Sequence, residues 1–309
     1  MLNAIFLTFA ITLMYAAPLC LTALGGVITQ RAGVDNIGLE GMMAFGAFAA
    51  ASVGYFSGNP WLGFLAGGLA GAMLALIHGV VAITLKGDQT ISGIAINFIG
   101  LGLAIFLTRI LFRGMASTDA VQNKMPKVLQ SLGVNFEKYP SLRALEIDIT
   151  VIIALLAVFL VHFMLYRTVY GLRLRACGEH PAAADTLGVS VTRIRYSAVL
   201  LSGFFAGFGG GAMTLAVISH FTPTIISGQG FIALAAVIFG NWKPIGAALA
   251  CLLFGFAQAL TVLLTSYTTV PTQILATLPY VLTLLVLIAF VDRAVPPKAN
   301  GQPYFKGEA

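Results

Sequence analysis

The sequence predicts an all-α, polytopic integral membrane protein with about nine membrane segments. Of its 309 residues, 59% are hydrophobic and only 9% are charged, and the mean hydropathy is +0.94. A soluble domain has about 25% charged residues, so this composition excludes a soluble globular enzyme, a disordered chain and a nucleic-acid-binding module. The 34 glycines suit helices that pack closely in lipid.

Eight apolar windows are long enough for a membrane helix, which needs about 20 mostly apolar residues. A shorter run, 230–240, can cross only part of the bilayer and predicts a half-span or re-entrant segment. The first window lacks the basic start and the small-residue cleavage site of a signal peptide, and we interpret it as a retained span. The eight windows are 2–28, 38–56, 61–85, 90–112, 147–166, 197–219, 244–264 and 272–291.

The lysines and arginines of the connections predict the orientation, because cytoplasmic loops carry an excess of these residues. If the nine segments alternate in direction, one side holds 11 of the 17 basic residues and the other holds six. We assign the richer side to the cytoplasm, with the N-terminus outside and the C-terminus inside. The five connections on this side are 31–37, 86–89, 167–195, 241–244 and 292–309.

This orientation predicts an inverted repeat. The first four segments and the last four run in opposite senses, and paired glycines precede a small and aromatic run at both 38–46 and 228–235. In transporters with such repeats the substrate path lies near the repeat interface. The predicted organisation is a transmembrane domain, 1–291, and a cytoplasmic tail, 292–309. The domain divides into a first half (1–112), an external loop (113–146), a central helix (147–166), a cytoplasmic loop (167–195) and a second half (196–291).

Two carboxylates, Asp35 and Glu40, and one amide, Asn36, lie at the start of the second span. Asp35 or Asn36 has the side chain of a helix cap, and Glu40 would then lie in the first turn near the positive end of the helix dipole. The functional alternative is a broken segment beside a pore, because intramembrane carboxylates usually face a cavity or a partner.

Two further segments place polar side chains inside apolar runs. Ser92 and Asn97 lie in the fourth window, where an interhelical hydrogen bond is the alternative to contact with a substrate. Gln229 and Phe231 begin the half-span, and offer amide hydrogen bonds and an aromatic face for stacking. Non-helical backbone survives at membrane depth only where protein buries it or where it lines a cavity. We therefore expect Gln229 and Phe231 to contact a substrate, and interpret His220 as a polar anchor.

The connection 171–195 is the sizeable charged segment on the cytoplasmic side. Pro181 can begin a helix and Gly188 can end it, which predicts a short helix over 181–187 within a basic loop that also holds Cys177. A solvated loop is the simple interpretation. The small alanines 182–184 with Leu187 also form a surface that another protein could bind.

The sequence indicates no catalytic chemistry. It contains no nucleophile elbow, Walker loop, metal-ligand motif or dinucleotide-binding fingerprint. Its three cysteines do not form a regular framework, so we expect neither disulfides nor a metal. We expect no cofactor in this chain. Active transport would then need an ion gradient or a separate ATPase subunit, and the lack of a series of intramembrane carboxylates makes a proton relay the weaker choice.

Three ordered motifs resemble those of a known family. Gly33-Val-Asp-Asn-Ile-Gly-Leu-Glu-Gly41 is similar to a signature of ABC importer permeases for simple sugars and nucleosides, within the ribose and branched-chain amino acid permease family. The loop Gly171-Leu-Arg-Leu-Arg-Ala-Cys-Gly-Glu-His-Pro-Ala-Ala-Ala184 resembles the coupling loop of that family, and 228–240 resembles its second-half signature. The likeness extends from about residue 10 to 291, and the form of the first motif is closer to nucleoside-type importers. Gln89 departs from the acidic residue expected at its position.

The resemblance implies a subunit of the bacterial inner membrane that works with other proteins in a lipid bilayer. These partners are a second permease, two cassettes that bind ATP and Mg²⁺, and a periplasmic or lipid-anchored BMP-type substrate-binding protein. The second permease is expected to be a longer paralogue in a heterodimer, with a homodimer as the alternative. The resemblance also implies a coupling helix that docks on a cassette. The residues assigned to coupling are Gly178, Glu179, His180, Ala183, Ala184, Leu187 and Gly188; those assigned to the substrate path are Asn36, Glu40, Ser92, Asn97, Gln229 and Phe231.

The leading hypothesis is therefore the membrane-spanning half of an ATP-driven importer for nucleosides or related simple sugars. The alternative is a gradient-driven secondary transporter or channel for small polar solutes that acts without ATPase subunits. A subunit that serves assembly alone is a third hypothesis.

Overall fold

A computed structural model describes residues 2–134, 144–267, 270–290 and 295–307, and throughout these ranges the regular structure is helical. Parts of the predicted external loop (135–143) and of the predicted tail (292–294 and 308–309), with position 291 of the last window, lie outside the described residues. The helices are α1 (Leu2–Arg31), α2 (Leu39–Ser57), α3 (Pro60–Gly79), α4 (Gln89–Leu111), α5 (Val128–Ser131), α6 (Ile149–Arg167), α7 (Val169–Glu179), α8 (Pro181–Thr186), α9 (Val191–Ala212), α10 (Gln229–Phe239), α11 (Pro244–Tyr267), α12 (Thr272–Leu275) and α13 (Leu278–Phe290).

Seven helical stretches in the described residues are long and apolar enough to cross a membrane. They are 5–31, 39–57, 60–84, 89–111, 149–167, 191–218 and 244–265. Two of them end in π-helical turns, Val80–Thr84 after α3 and Met213–Ile218 after α9. The windows 230–240 and 272–291 also contain helices, α10 and α13, of 11 and 13 residues. The membrane-protein class is confirmed, whereas nine crossings and the re-entrant character of 230–240 stay predictions.

The helix termini follow local sequence. Asn59 accepts a hydrogen bond from the Trp61 amide at 2.9 Å and Pro60 occupies the first position of α3. The expectation that Asp35 or Asn36 caps α2 is wrong. Gly38 is the N-cap, without a side-chain hydrogen bond, because the Asn36 side chain accepts the Gly38 amide one residue before the helix begins.

Glycines allow the core helices to approach closely. Gly46 of α2, Gly67 of α3 and Gly207 of α9 meet backbone to backbone, and a Cβ on Gly67 would lie 2.9 Å from the Gly46 carbonyl oxygen. Helix α1 runs through this core against α9 and α11, with Leu24 and Val27 fully buried. Small residues at crossings are the general means of packing helices in lipid.

The five basic connections meet at one end of the bundle. The Arg31 guanidinium donates to the Trp242 carbonyl oxygen at 2.9 Å, and the Asp35 amide donates to the Gln89 side chain at 2.7 Å. The Ala299 amide donates to the Gly178 carbonyl oxygen at 2.8 Å. With the bond from the Val295 amide to the Asn241 side-chain oxygen at 3.4 Å, they link all five connections that the alternation of segments predicts on one side.

The other end holds the described part of the connection 113–146, the predicted external loop. The Val121 amide donates to the Ser219 carbonyl oxygen at 2.8 Å, and the Asn123 side chain donates to the Gly58 carbonyl oxygen at 2.8 Å. The two ends of the bundle are therefore built from different sets of connections.

The segment 167–195, predicted as a connection with one short helix, is mostly helical. Helix α7 begins at Val169, capped by the Thr168 hydroxyl, and α8 follows directly after it. The predicted short helix is confirmed, since Pro181 begins α8 and Gly188, at φ +81°, follows its end. Cys177 lies inside α7 and is fully buried.

Candidate functional site

The centre of the molecule is a junction between the starts of α2 and α10. The half-buried Glu40 carboxylate accepts hydrogen bonds from the backbone amides of Gly228 at 2.5 Å and Gly230 at 2.6 Å. A negative charge at this place also complements the positive end of the α10 dipole. A Cβ on Gly230 would lie 2.5 Å from the Glu40 Cα, so only glycine allows this approach. The Glu40 carboxylate thus joins the two segments that contain the paired glycines, 38–46 and 228–235.

Asn97 fixes the turn from which Glu40 projects. Its side-chain oxygen accepts the Gly41 amide at 2.8 Å, and its amide nitrogen donates to the Ile37 carbonyl oxygen at 3.0 Å. Helix α4 therefore holds the start of α2 through one side chain that bonds to backbone on both sides. This geometry matches the interhelical alternative for Asn97.

Three of the residues assigned to the substrate path line one cavity of about 280 Å³, which we name the Glu40 cavity. Glu40 and Asn97 form its polar wall, and Phe231 contributes a ring that is 49% exposed. Phe98 and Pro223 lie on the same cavity. An aromatic surface beside a few polar groups is typical of a site for a small polar molecule.

Asn36 and Ser92 lie apart from this cavity, in a buried polar network below the α1–α2 turn. The Asn36 amide, which is fully buried, donates to the Ser202 hydroxyl at 3.0 Å. The Ser92 hydroxyl bonds to the His78 Nδ1 at 2.9 Å, and the His78 Nε2 bonds to the Asp35 carbonyl oxygen at 3.1 Å. These contacts fix the turn against α3, α4 and α9, so both side chains have structural partners.

Sequence reasoning missed three members of this network: His78, Gln30 and Trp242. The Gln30 amide donates to the Asp35 carboxylate at 2.9 Å, and its oxygen accepts the Trp242 indole N–H. Burial raises the pKa of the Asp35 carboxyl, while the Gln30 hydrogen bond lowers it. Each residue looks like an isolated polar side chain in the sequence, because its partners are distant along the chain.

Gln229 lines a second cavity, of about 260 Å³, which we name the Gln258 cavity. The Gln258 amide nitrogen donates to the Gln229 side-chain oxygen at 2.9 Å, and Gln258 is 6% exposed. Gln258 is a further residue that sequence reasoning missed. As a single amide in an apolar helix, it gave no signal beyond its polarity.

The residues assigned to coupling divide into a surface set and a packing set. His180, Ala183, Leu187 and Gly188 are exposed, with 84% of Leu187 accessible. Ala184 is buried against Cys177 and Val191. The exposed residues and Ala184 therefore have different neighbours, although all of them lie in one short segment.

Gly178 and Glu179 instead hold the segment to its surroundings. A Cβ on Gly178 would lie 2.9 Å from the Arg31 carbonyl carbon, so the glycine lets α7 contact the α1 end. The Glu179 carboxylate accepts the Lys298 amide at 3.4 Å. Burial raises the pKa of the Cys177 thiol to about 11, although the nearby Arg195 lowers it. A buried thiol with a raised pKa reacts slowly with reagents in water.

No group of three or more His, Cys, Asp and Glu side chains suited to a metal ion occurs among the described residues. The polar side chains of both cavities carry amides, hydroxyls and one engaged carboxylate, and aromatic rings lie beside them. This arrangement is suited to binding a neutral polar molecule.

The family model described as branched-chain amino acid transport system / permease component matches residues 8–291. The chain belongs to this permease family. It is therefore a multi-pass membrane permease, as the seven long apolar helices in the described part of the chain indicate.

Several relatives are similar to the permease over most of its length. The guanosine ABC transporter permease protein NupQ of Bacillus subtilis is 46% identical over 307 residues, which cover 96% of each chain. The nucleoside ABC transporter permease protein NupC of Lactococcus lactis is 37% identical over 317 residues, or 99% of each chain. The putative glucose ABC transporter permease protein TsgC13 of Haloferax volcanii is 39% identical over 252 residues, covering 81% of this permease and 75% of the relative. The permease is thus similar to membrane subunits of ABC transporters rather than to enzymes.

Proposed function

We propose that this permease is the membrane-spanning subunit of an ATP-driven importer for nucleosides. The observation that carries the proposal is the full-length similarity to permeases named for guanosine and nucleoside transport. The two cavities beside the α2–α10 junction support it, because each combines apolar or aromatic walls with a few polar groups.

The end of the bundle that carries α8 is the proposed docking surface for an ATP-binding cassette. Leu187 presents an apolar side chain to solvent next to α8, while Ala184 anchors the same helix to α7 and α9. An exposed apolar contact on an anchored helix suits force transmission, since movement of the short helix is passed to the core. We assign this end to the cytoplasm, with the N-terminus of the chain outside.

The Glu40 junction is the proposed point where this movement reaches the substrate path. Glu40 joins the start of α2 to the start of α10, and Asn97 holds the same turn to α4. A change in α2 relative to α10 would alter both cavities at once. In this proposal the starts of α2 and α10 belong to the two inverted halves of the chain. The chain has nine membrane segments when α10 is counted as a half-span. ATP and Mg²⁺ bind to the cassettes.

The proposed partners are two cassettes, a second permease and a substrate-binding protein at the outer surface. The test is an assembled transporter in proteoliposomes, with nucleoside uptake and ATPase activity measured together. Leu187→Asp should abolish the ATPase stimulation by loaded binding protein, because a charge replaces the apolar docking contact. Leu132→Asp is the matched control, since Leu132 is 73% exposed but lies after α5, outside the basic end.

Normal stimulation in Leu187→Asp would contradict the docking assignment. Uptake by the permease without cassettes would favour the gradient-driven alternative over an ABC importer. An assembled wild-type transporter that takes up glucose or ribose and no nucleoside would contradict the proposed substrate class.

A further inference from the structure

The Gln258 cavity lies where several segments of chain are interrupted near the middle of the long helices. Tyr15 and Gln258, on its walls, are close to the midpoints of α1 and α11. Ser227 precedes α10, and Ala276 lies between α12 and α13. Interrupted helices at membrane depth persist where they line a cavity, and substrate sites of transporters are built in such places.

An unsatisfied amide lies on the wall of this cavity. Gln258 uses its nitrogen to bond Gln229, and its Oε1 atom is buried without a hydrogen-bond partner among the residues that the structure describes. A buried acceptor that stays unpaired is unfavourable, and proteins keep such groups rarely. A ligand that donates a hydrogen bond to this oxygen would remove the penalty.

The arrangement of the two amides matches the edge of a nucleobase. Because Gln258 donates to Gln229, the pair retains two unused groups, the buried Gln258 oxygen as an acceptor and the Gln229 amide nitrogen as a donor. Nucleobases carry hydrogen-bond donors and acceptors side by side on their edges, and glutamine side chains pair with them. A free sugar has hydroxyl groups on every side and would need many more partners.

The remaining walls favour a flat, partly apolar ligand. The rings of Tyr15 and Tyr280 and the side chains of Ile232 and Val262 line the cavity. Its volume of about 260 Å³ is near the lower end of the roughly 300–1,000 Å³ of small-molecule sites. The walls thus supply apolar and aromatic contact for a ring, and the amides supply its polar edge.

We propose that the Gln258 cavity is a nucleobase-binding site contained within one permease subunit, in which Gln258 and Gln229 bind the hydrogen-bonding edge of the base. This inference rests on the proposed import of nucleosides. It assigns the recognition of the base to α10 and α11, in a cavity that shares Ile226 and Ser227 with the Glu40 cavity.

The test is equilibrium binding of tritiated guanosine, adenosine, uridine and ribose to the assembled transporter in nanodiscs, without its binding protein. Gln258→Met keeps the length of the side chain and removes the amide. It should weaken nucleoside binding about 2- to 10-fold, the factor expected for one net hydrogen bond. Gln122→Leu, which removes an exposed glutamine outside the cavity, should leave binding unchanged. Ribose should not bind measurably to any of these proteins.

A second variant tests the cavity without relying on Gln258→Met, whose effect on binding could come from a change in folding. Val262 is 39% exposed on the cavity wall, and Val262→Trp should fill the cavity and abolish binding while the protein stays monodisperse. Unchanged affinity in Gln258→Met or in Val262→Trp, or absence of nucleoside binding to the wild type, would overturn the site. Nucleoside uptake with no binding at this cavity would leave the proposed function standing and refute the site alone. Nucleoside binding at this cavity without uptake would support the site and contradict the proposed import of nucleosides.

Discussion

Replacement of Glu40 by glutamine tests the junction between α2 and α10. The carboxylate accepts two backbone hydrogen bonds, at 2.5 and 2.6 Å, and Glu40→Gln replaces one accepting oxygen with an amide group that faces a donor. A hydrogen bond to a charged group contributes about 1.5–3 kcal/mol, and the interaction with the helix dipole adds about 0.3–1 kcal/mol. We therefore expect a loss of about 2–4 kcal/mol in the free energy of unfolding.

The assay is thermal unfolding of the detergent-solubilised permease, followed by size-exclusion chromatography. With an unfolding entropy of about 2.1 cal/mol/K per residue, a loss of this size in a 309-residue chain corresponds to a decrease in Tm of roughly 3–6 °C. Asp119→Asn is the control, because Asp119 is exposed outside the core and a surface change of this kind is usually within about 0.5 kcal/mol. If Glu40→Gln melts at the wild-type temperature, the charge contributes nothing and our account of how α10 is held is incorrect.

Three further changes test other parts of the structure. Gly230→Ala should prevent folding, because the new Cβ would lie 2.5 Å from backbone atoms of α2, whereas Gly102→Ala, with no atom within 4 Å, should fold normally in the same expression assay. Burial raises the pKa of Asp148 from 3.8 to about 6, so between these pH values the folded protein binds more protons than the unfolded chain. The contribution of Asp148 to stability should therefore decrease from pH 4 to pH 6 and stay level above pH 6. Asp148→Asn should remove that slope when melting is measured as a function of pH. Leu187→Cys should react with an impermeant maleimide in inside-out vesicles and not in intact cells, with little background because Cys177 and the other native cysteines are buried; reaction in intact cells would reverse the orientation.

The long apolar helices could be predicted from composition because the membrane imposes their length. The window 90–112 and helix α4 (Gln89–Leu111) differ by a single residue at each end. Helix α7 was missed, since a search for apolar runs does not detect a charged helix with Arg173 and Arg175. Its start depends on the Thr168 cap, a local signal that composition does not contain.

The candidate site could be predicted in part. A carboxylate in an apolar span is unfavourable without a partner, so Glu40 stood out in the sequence. Its partners, Gly228 and Gly230, are 188 and 190 positions away, and one sequence contains no information on that pairing. Gln258 was missed for the same reason, because its relation to Gln229 arises only when α10 packs on α11.

The difference between the two residue sets assigned to coupling also depends on packing. The order of residues predicts a short helix between Pro181 and Gly188, but does not specify which face is covered. The structure turns Ala184 inward and leaves Leu187 in solvent. Resemblance to a family motif could identify the segment, while the side chains available to a partner depend on the tertiary contacts of α7 and α9.

The bonds from Ala299 to Gly178 and from Arg195 to Gln302 have a consequence for biosynthesis. Arg195 and Gln302 are separated by 107 positions, so the ribosome has to translate four further helices before this brace can form. During that interval α7 and α9, which flank α8, are already synthesised but lack these bonds to the tail. In the proposed importer, stable docking of an ATP-binding cassette on α8 is therefore expected only after translation has passed residue 302.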